Sequence, residues 1–228
     1  MRRLIVTLDG PAGTGKSTVA QRLAKRLGVE FLDTGAMYRG LTALALHRGL
    51  APDQETDASL IVELARVNPL RFNWAEDPPR LLTGSIDLTG RLRDDDVTRH
   101  VSDVARLSGV RRQLVERQRD IGRQHPRLVS EGRDQGSVVF PDAEAKFFLD
   151  ASADVRARRR ADQLRAAGRT AHEAEIRRQI IERDRKDSTR DVAPLICPED
   201  AENIDTSAMT LADVVDHLEA RVRERGLA

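Results

Sequence analysis

With 228 residues, 33% charged side chains and 39% drawn from the AVILMFWYC set, the chain is long enough to bury a full core and too apolar for general disorder. A formal net charge of +1 gives no bulk electrostatic footprint for duplex DNA or an anionic membrane, so any anion site must be built locally. Aromatics at 3% argue against single-strand binding by ring stacking, and the lone Cys197 excludes an intrachain disulfide and a cysteine zinc cluster.

The apolar run after Met-Arg-Arg is five residues long, too short for a signal-peptide core. No stretch approaches the roughly 20 apolar residues of a membrane span. A cytoplasmic, monomeric protein with neither membrane nor nucleic-acid partner is the expectation. Of the 38 basic side chains only Lys16, Lys25, Lys146 and Lys186 are lysine. The rest are arginine, the side chain suited to bidentate grips on phosphate.

In chain order, Leu4 to Leu8 reads as a β-strand running into Asp-Gly, and Thr18 to Leu27 as a helix with apolar positions 19, 20, 23, 24 and 27. Gly28 stops that helix, and Val29 to Leu32 is a second short strand. Met37 to Leu50 and Asp57 to Val67 look helical. Pro69, Pro78 and Pro79 then separate three short pieces, Leu70 to Trp74, Arg80 to Leu82 and Ile86 to Leu88, which read as a small antiparallel insertion. Apolar positions 97, 101, 104, 107, 110, 114 and 121 predict one long helix lasting to about Gln124. Two buried strands follow at Arg127 to Ser130 and Lys146 to Leu149. Asp154 to Arg165 and Ala171 to Asp187 are charged helical segments joined at Gly168. Ala201 to Asp205 closes the strand set, and Leu211 to Arg225 is a final amphipathic helix. Five strands alternating with helices predict an α/β fold with a mainly parallel sheet covered on both faces and ligands at the carboxyl ends of the strands.

Residues 10 to 17, Gly-Pro-Ala-Gly-Thr-Gly-Lys-Ser, match G-x-x-x-x-G-K-[ST] between a strand and a helix. A glycine-rich turn lets backbone N–H groups converge on an anion, and the next helix aims its positive end at the same point. Lys16 then reaches the β/γ-phosphates and Ser17 offers a hydroxyl ligand to Mg²⁺, so Gly10, Pro11, Ala12, Gly13, Thr14, Gly15, Lys16, Ser17 and Thr18 form the expected ATP cradle. No Asn-Lys-x-Asp string is present to read guanine. The strand before Glu131 lacks the long apolar run of motor ATPases. Small size and many arginines favour phosphoryl transfer between two small ligands.

Leu32-Asp-Thr-Gly-Ala-Met-Tyr-Arg39 sets Thr34 and Arg39 at a strand end, and Glu131-Gly-Arg-Asp134 does the same after the third strand. Arg183, Asp187 and Arg190, spaced i, i+4, i+7, share one helical face, which suits a phosphate plus a hydroxyl or an ordinary surface ion-pair ladder. None of the five histidines needs a role, and Cys197 reads as inert.

These strings, with Ile5-Val-Thr-Leu-Asp-Gly-Pro-Ala-Gly-Thr-Gly-Lys-Ser, Gln135-Gly-Ser-Val-Val-Phe-Pro-Asp142 and Arg183-Asp-Arg-Lys-Asp-Ser-Thr-Arg-Asp-Val-Ala-Pro-Leu195, resemble the bacterial cytidylate kinases from about residue 4 to 225. The resemblance implies a single P-loop kinase domain built on a five-stranded parallel sheet, with its core at 1–67, 94–153 and 186–228, a nucleoside-monophosphate-binding insertion at about 68–93, and a helical lid at about 154–185. It implies ATP-dependent, Mg²⁺-assisted transfer to CMP or dCMP. Arg39, Arg133 and Arg190 would lie near the CMP phosphate with Thr34 beside it, and Asp187 with Arg183 at the ribose and phosphates. Ser102, Arg111 and Asp134 would read cytosine. Arg159 and Arg160 would be lid residues approaching the ATP phosphates. Lys16, Arg133, Arg159, Arg183 and Arg190 would be the catalytic cations. Thr34 and Ser137 conserve the hydroxyls the pattern carries there, whereas Gln135 replaces a usual aliphatic residue. The competing readings are a P-loop kinase of UMP, AMP or a shikimate-like acceptor, and a nucleotide-binding regulator without turnover.

Overall fold

The computed structural model describes residues 2–190 and 192–226; Asp191 of the fourth motif string lies outside them. Contacts group the chain into two compact units, Met1–Leu32 with His125–Ala228, and Asp33–Gln124.

The first unit is built on a five-stranded parallel sheet. Its strands are β1 (Leu4–Asp9), β2 (Glu30–Asp33), β6 (Arg127–Glu131), β7 (Ala145–Asp150) and β8 (Glu202–Asp205), in the order β2-β6-β1-β7-β8. All six residues of β1 are buried, as expected of a central strand covered on both faces. Leu4, Val6 and Leu8 point with Val129, Phe147, Leu149 and Ile204 into one core, closed by Val19, Ala20 and Leu23 of α1 (Lys16–Leu27) and Val214, Val215 and Leu218 of α8 (Leu211–Glu224). β1 runs beside both β6 and β7. The connection leaving β1 goes to β2 on one side and the one leaving β6 goes to β7 on the other, which opens a crevice at the carboxyl ends of β1 and β6 where α/β folds bind ligands. The P-loop begins there.

Two antiparallel helices, α6 (Ala153–Ala166) and α7 (Glu173–Ser188), leave this sheet between β7 and β8. They bury a small core of their own, Ala157, Ala161, Ile176 and Ile180. The sequence reading placed a lid at about 154–185 and the end of its second helix at Asp187; α7 ends at Ser188.

The second unit holds α2 (Thr34–His47), α3 (Ala58–Val67), a three-stranded antiparallel sheet of β3 (Leu70–Asn73), β4 (Arg80–Thr83) and β5 (Ile86–Asp87), and then α4 (Asp95–Arg106) and α5 (Ser108–Gln124). The insertion predicted at 68–93 is present as that sheet, but it packs into a unit with segments 33–67 and 94–124 that the sequence had assigned to the core. Leu81 shows why: a Cβ on Gly40 of α2 would come within 2.4 Å of its Cδ2, so helix and sheet share one packed interface.

Two helix boundaries depart from the sequence reading. α2 starts at Thr34 rather than Met37, because the Asp33 carboxylate caps it, accepting from the Ala36 amide at 2.8 Å. The single helix expected from 97 to 124 is two, broken at Leu107, whose backbone is extended (φ −68°, ψ 113°). A one-residue break leaves the i+3 spacing of buried positions intact, so periodicity alone cannot reveal it. Ser108-Gly109 was the overlooked signal: a Cβ on Gly109 would meet the methyls of Val62 on α3 at 2.7 and 2.8 Å. Among the described residues no helix is long and apolar enough to cross a membrane.

Candidate active site

The P-loop takes its shape from glycines no other residue could replace. Gly10 has φ +139°, and a Cβ there would lie 2.0 Å from the Leu149 carbonyl oxygen; Gly15, at φ +90°, caps α1 in the left-handed region. Lys16 is 4% exposed. Its Nζ donates to the Pro11 carbonyl at 2.6 Å and to Thr14 Oγ1 at 3.2 Å, folding the ammonium back over the loop. Burial, helped by Arg133, lowers its pKa to about 7.

Ser17 Oγ donates to Glu131 Oε1 at 2.6 Å. A hydroxyl and a carboxylate at the first turn of α1 and the end of β6 are the hard oxygen donors Mg²⁺ takes, with phosphate oxygens and waters completing the shell. Sequence reasoning quoted Glu131 within a motif and assigned it nothing. Asp9, also passed over, is 2% exposed; burial pushes its pKa up to about 7 despite two backbone hydrogen bonds.

Beyond Glu131, Arg133 Nε donates to Asp187 Oδ2 at 3.1 Å. Arg183 Nε lies 3.9 Å from Asp187 Oδ2, and Arg190 Nη1 4.0 Å from Oδ1. Burial raises the Asp187 pKa, but the three guanidiniums outweigh it and hold the group below its usual range. Asp187 is 7% exposed, so the triplet is no surface ladder: three cations around one carboxylate leave a net positive pocket for an anion. Arg190 Nε also donates to the Ala193 carbonyl at 2.5 Å. Asp134 is buried at the start of the turn Gln135–Val139.

The basic string of α6 divides by partner. Arg156, grouped from sequence with its basic neighbours, is 6% exposed and donates to the Ala12 carbonyl at 3.0 Å and to Asp184 Oδ2 at 2.6 Å, joining the P-loop to α6 and α7. Arg159 donates to the Thr206 and Met209 carbonyls at 2.6 and 3.3 Å. It lines a cavity of about 360 Å³ with Thr14, Gly15, Thr18, Thr206 and Leu211. Arg160 bonds Gln163 of its own helix at 2.7 Å.

In the second unit, Thr34 is buried in the first turn of α2. Arg39 Nη1 donates to Thr98 Oγ1 at 3.0 Å and to the Leu92 carbonyl at 3.3 Å. Arg111 is 2% exposed, lies 5.5 Å over the Tyr38 ring and donates to the Ala105 carbonyl at 3.2 Å. Ser102 is half-buried on α4, the helix that carries Thr98.

A model of the cytidylate kinase family matches residues 6–224. The chain belongs to the cytidylate kinase family. A cytidylate kinase from Mycobacterium avium is 44% identical over 97% of this chain and 96% of its own length, and one from Streptococcus thermophilus is 42% identical over 98% of each. A bifunctional pantoate ligase/cytidylate kinase from a Synechococcus strain is 46% identical over 95% of this chain, which spans only 40% of that longer relative. Among solved structures, an uncharacterized protein from Eubacterium ventriosum shares the fold, with TM-score 0.53 and 10% identity over 98% of this chain and 99% of its own.

Proposed function

We propose that this chain catalyses transfer of the γ-phosphoryl group of ATP to the phosphate of CMP or dCMP. The observation that carries the reading is the packing, within one unit, of a P-loop whose Ser17 contacts Glu131 and an arginine cluster whose Arg133 follows two residues later in the same turn. A donor-phosphate cradle and an acceptor-anion pocket built on one short segment suit direct transfer between two phosphates.

The chemistry asks little of the protein beyond positioning and charge neutralisation, because the acceptor phosphate oxygen is already a nucleophile. Lys16 neutralises the transferring phosphates. Ser17, with Glu131 beside it, would hold Mg²⁺, which would supply further neutralisation of phosphate charge. Arg133, Arg183 and Arg190 receive the acceptor phosphate, with Asp187 fixing their planes and free to meet a ribose hydroxyl. The cavity beside Thr14, Gly15 and Arg159 takes the donor nucleoside. The family resemblance assigns Asp134 of the first unit to the acceptor, and also Thr34, Arg39, Ser102 and Arg111 of the second unit. This reading has the enzyme work as a cytoplasmic monomer on soluble nucleotides, without nucleic acid.

A coupled ADP-release assay across CMP, dCMP, UMP, AMP and shikimate tests it. ADP release above the ATPase background with CMP and dCMP only is expected. Preference for AMP or shikimate would reassign the acceptor, and ATP binding without ADP release would make the protein a regulator.

A further inference from the structure

We propose that Asp9 is a positioning residue: its carboxylate sets the turn carrying Glu131, Arg133 and Asp134 in register with the P-loop. Both oxygens are committed. Oδ1 accepts from the Gln135 amide at 2.8 Å and Oδ2 from the Gly136 amide at 2.7 Å. In its ionised form a carboxylate is acceptor only and satisfies two adjacent N–H donors; an amide of the same shape must turn a donor toward one of them. Glycine at 136 is part of the device, since a Cβ there would lie 2.9 Å from Thr7 Oγ1 and 3.4 Å from Asp9 Oδ2, holding the amide away.

The same turn is tied at two further points. The Gly132 amide donates to the Leu8 carbonyl at 3.0 Å. Ser130 Oγ donates to Gln135 Oε1 at 2.8 Å, which also explains how a glutamine sits 1% exposed where the family pattern has an aliphatic side chain. Segment 131–136 is therefore pinned near both ends by Leu8 and Asp9, the two residues immediately before Gly10. Glu131, the Ser17 partner, lies one residue before the first pin, and Arg133, the Asp187 partner, lies between the pins. One carboxylate at the end of β1 thus fixes the distance from donor cradle to acceptor pocket. An ionisable group buried in a central strand is costly for folding alone, whereas misplacing reacting groups by an ångström costs large factors in rate.

The proposal rests on Arg133 serving the acceptor, so the experiment separates the two. Steady-state kinetics are run on folded Asp9→Asn, Gly136→Ala and Arg133→Met, with amide exchange followed by mass spectrometry. Asp9→Asn and Gly136→Ala should each raise KM for CMP about tenfold, as loss of one buried hydrogen bond suggests, with KM for ATP within about twofold. Exchange should speed up in 131–139 and stay at the parent rate in 16–27. A uniform rise in exchange with unchanged KM for CMP would make Asp9 merely structural and overturn the proposal. So would KM for ATP rising in step with KM for CMP, which would tie Asp9 to Lys16 instead. Gly136→Ala leaves the carboxylate in place and carries the test by itself if Asp9→Asn does not fold. If Arg133→Met leaves KM for CMP unchanged, the acceptor reading fails whatever Asp9 does; if it raises KM while the other two do not, the Asp9 role alone fails.

Discussion

Lys16 waits in this site with its charge in balance. Burial has brought it to a pKa of about 7, and a triphosphate placed against it favours the ammonium form. Above pH 7 the free protein has largely lost that proton and the complex regains it, so nucleotide binding should take up close to one proton at pH 8 and weaken as pH rises toward 9. Calorimetry in two buffers of different ionisation enthalpy measures this directly; no uptake would mean the lysine is already charged. Lys16→Ala should nearly abolish turnover while folding survives, since contacts to transferring phosphates contribute several kcal/mol in the transition state. Turnover within about threefold of the parent would remove Lys16 from the chemistry. Arg190 shows how residue roles depend on more than charge. With Nε held by the Ala193 carbonyl and Nη1 4.0 Å from Asp187, its plane is set for a bidentate contact that a lysine cannot reproduce. Arg190→Lys should raise KM for CMP or depress kcat by at least about tenfold; parental values for both would show that a point charge suffices.

At the level of elements, helices α6 and α7 are anchored by one buried guanidinium. Arg156 bonds the Ala151 and Ala12 carbonyls and Asp184, and Asp184 Oδ1 is buried without a hydrogen-bond partner. Arg156→Met would strand that carboxylate, and removing one partner of a buried pair typically costs about 3–5 kcal/mol. Urea unfolding should show a loss in that range, and a loss under about 1 kcal/mol would mean Asp184 finds water or another cation. From sequence, Arg156 was indistinguishable from its neighbours in Arg156-Ala-Arg-Arg-Arg160, because which arginine turns inward depends on α7 packing against α6. The break at Leu107 was hidden because one extended residue leaves the spacing of the buried positions intact. Strand β1, the P-loop and α1 were legible because each is set by local chemistry, a β-rich run, left-handed glycines and a 3.6-residue stripe.

For the whole molecule, the sharpest consequence is base preference. Cytosine presents an N4 amino donor and an N3 acceptor, and uracil reverses both. On the proposed function, a carboxylate at Asp134 accepts from the amino group of cytosine and faces the lone pairs of O4 in uracil. CMP should exceed UMP at least about a hundredfold in kcat/KM, at roughly 1–3 kcal/mol per bidentate contact. Asp134→Asn should narrow that ratio; an unchanged ratio at a lower rate would leave base reading to Ser102 and Arg111. The amino-acid sequence by itself determined the fold class, the five strands, the phosphate loop and the family, because those depend on residue periodicity, on glycines in fixed places and on short contiguous motifs. Only the tertiary structure decided that segments 33–67 and 94–124 pack with the antiparallel sheet, that Asp187 is buried among Arg133, Arg183 and Arg190, and that Asp9 meets Gln135 and Gly136, Glu131 meets Ser17 and Arg156 meets Ala12. These depend on contacts such as Asp9 to Gln135 and Gly136, 126 and 127 positions apart. Burial and hydrogen-bond partnership across such separations follow from how the strands are ordered, which no local pattern encodes.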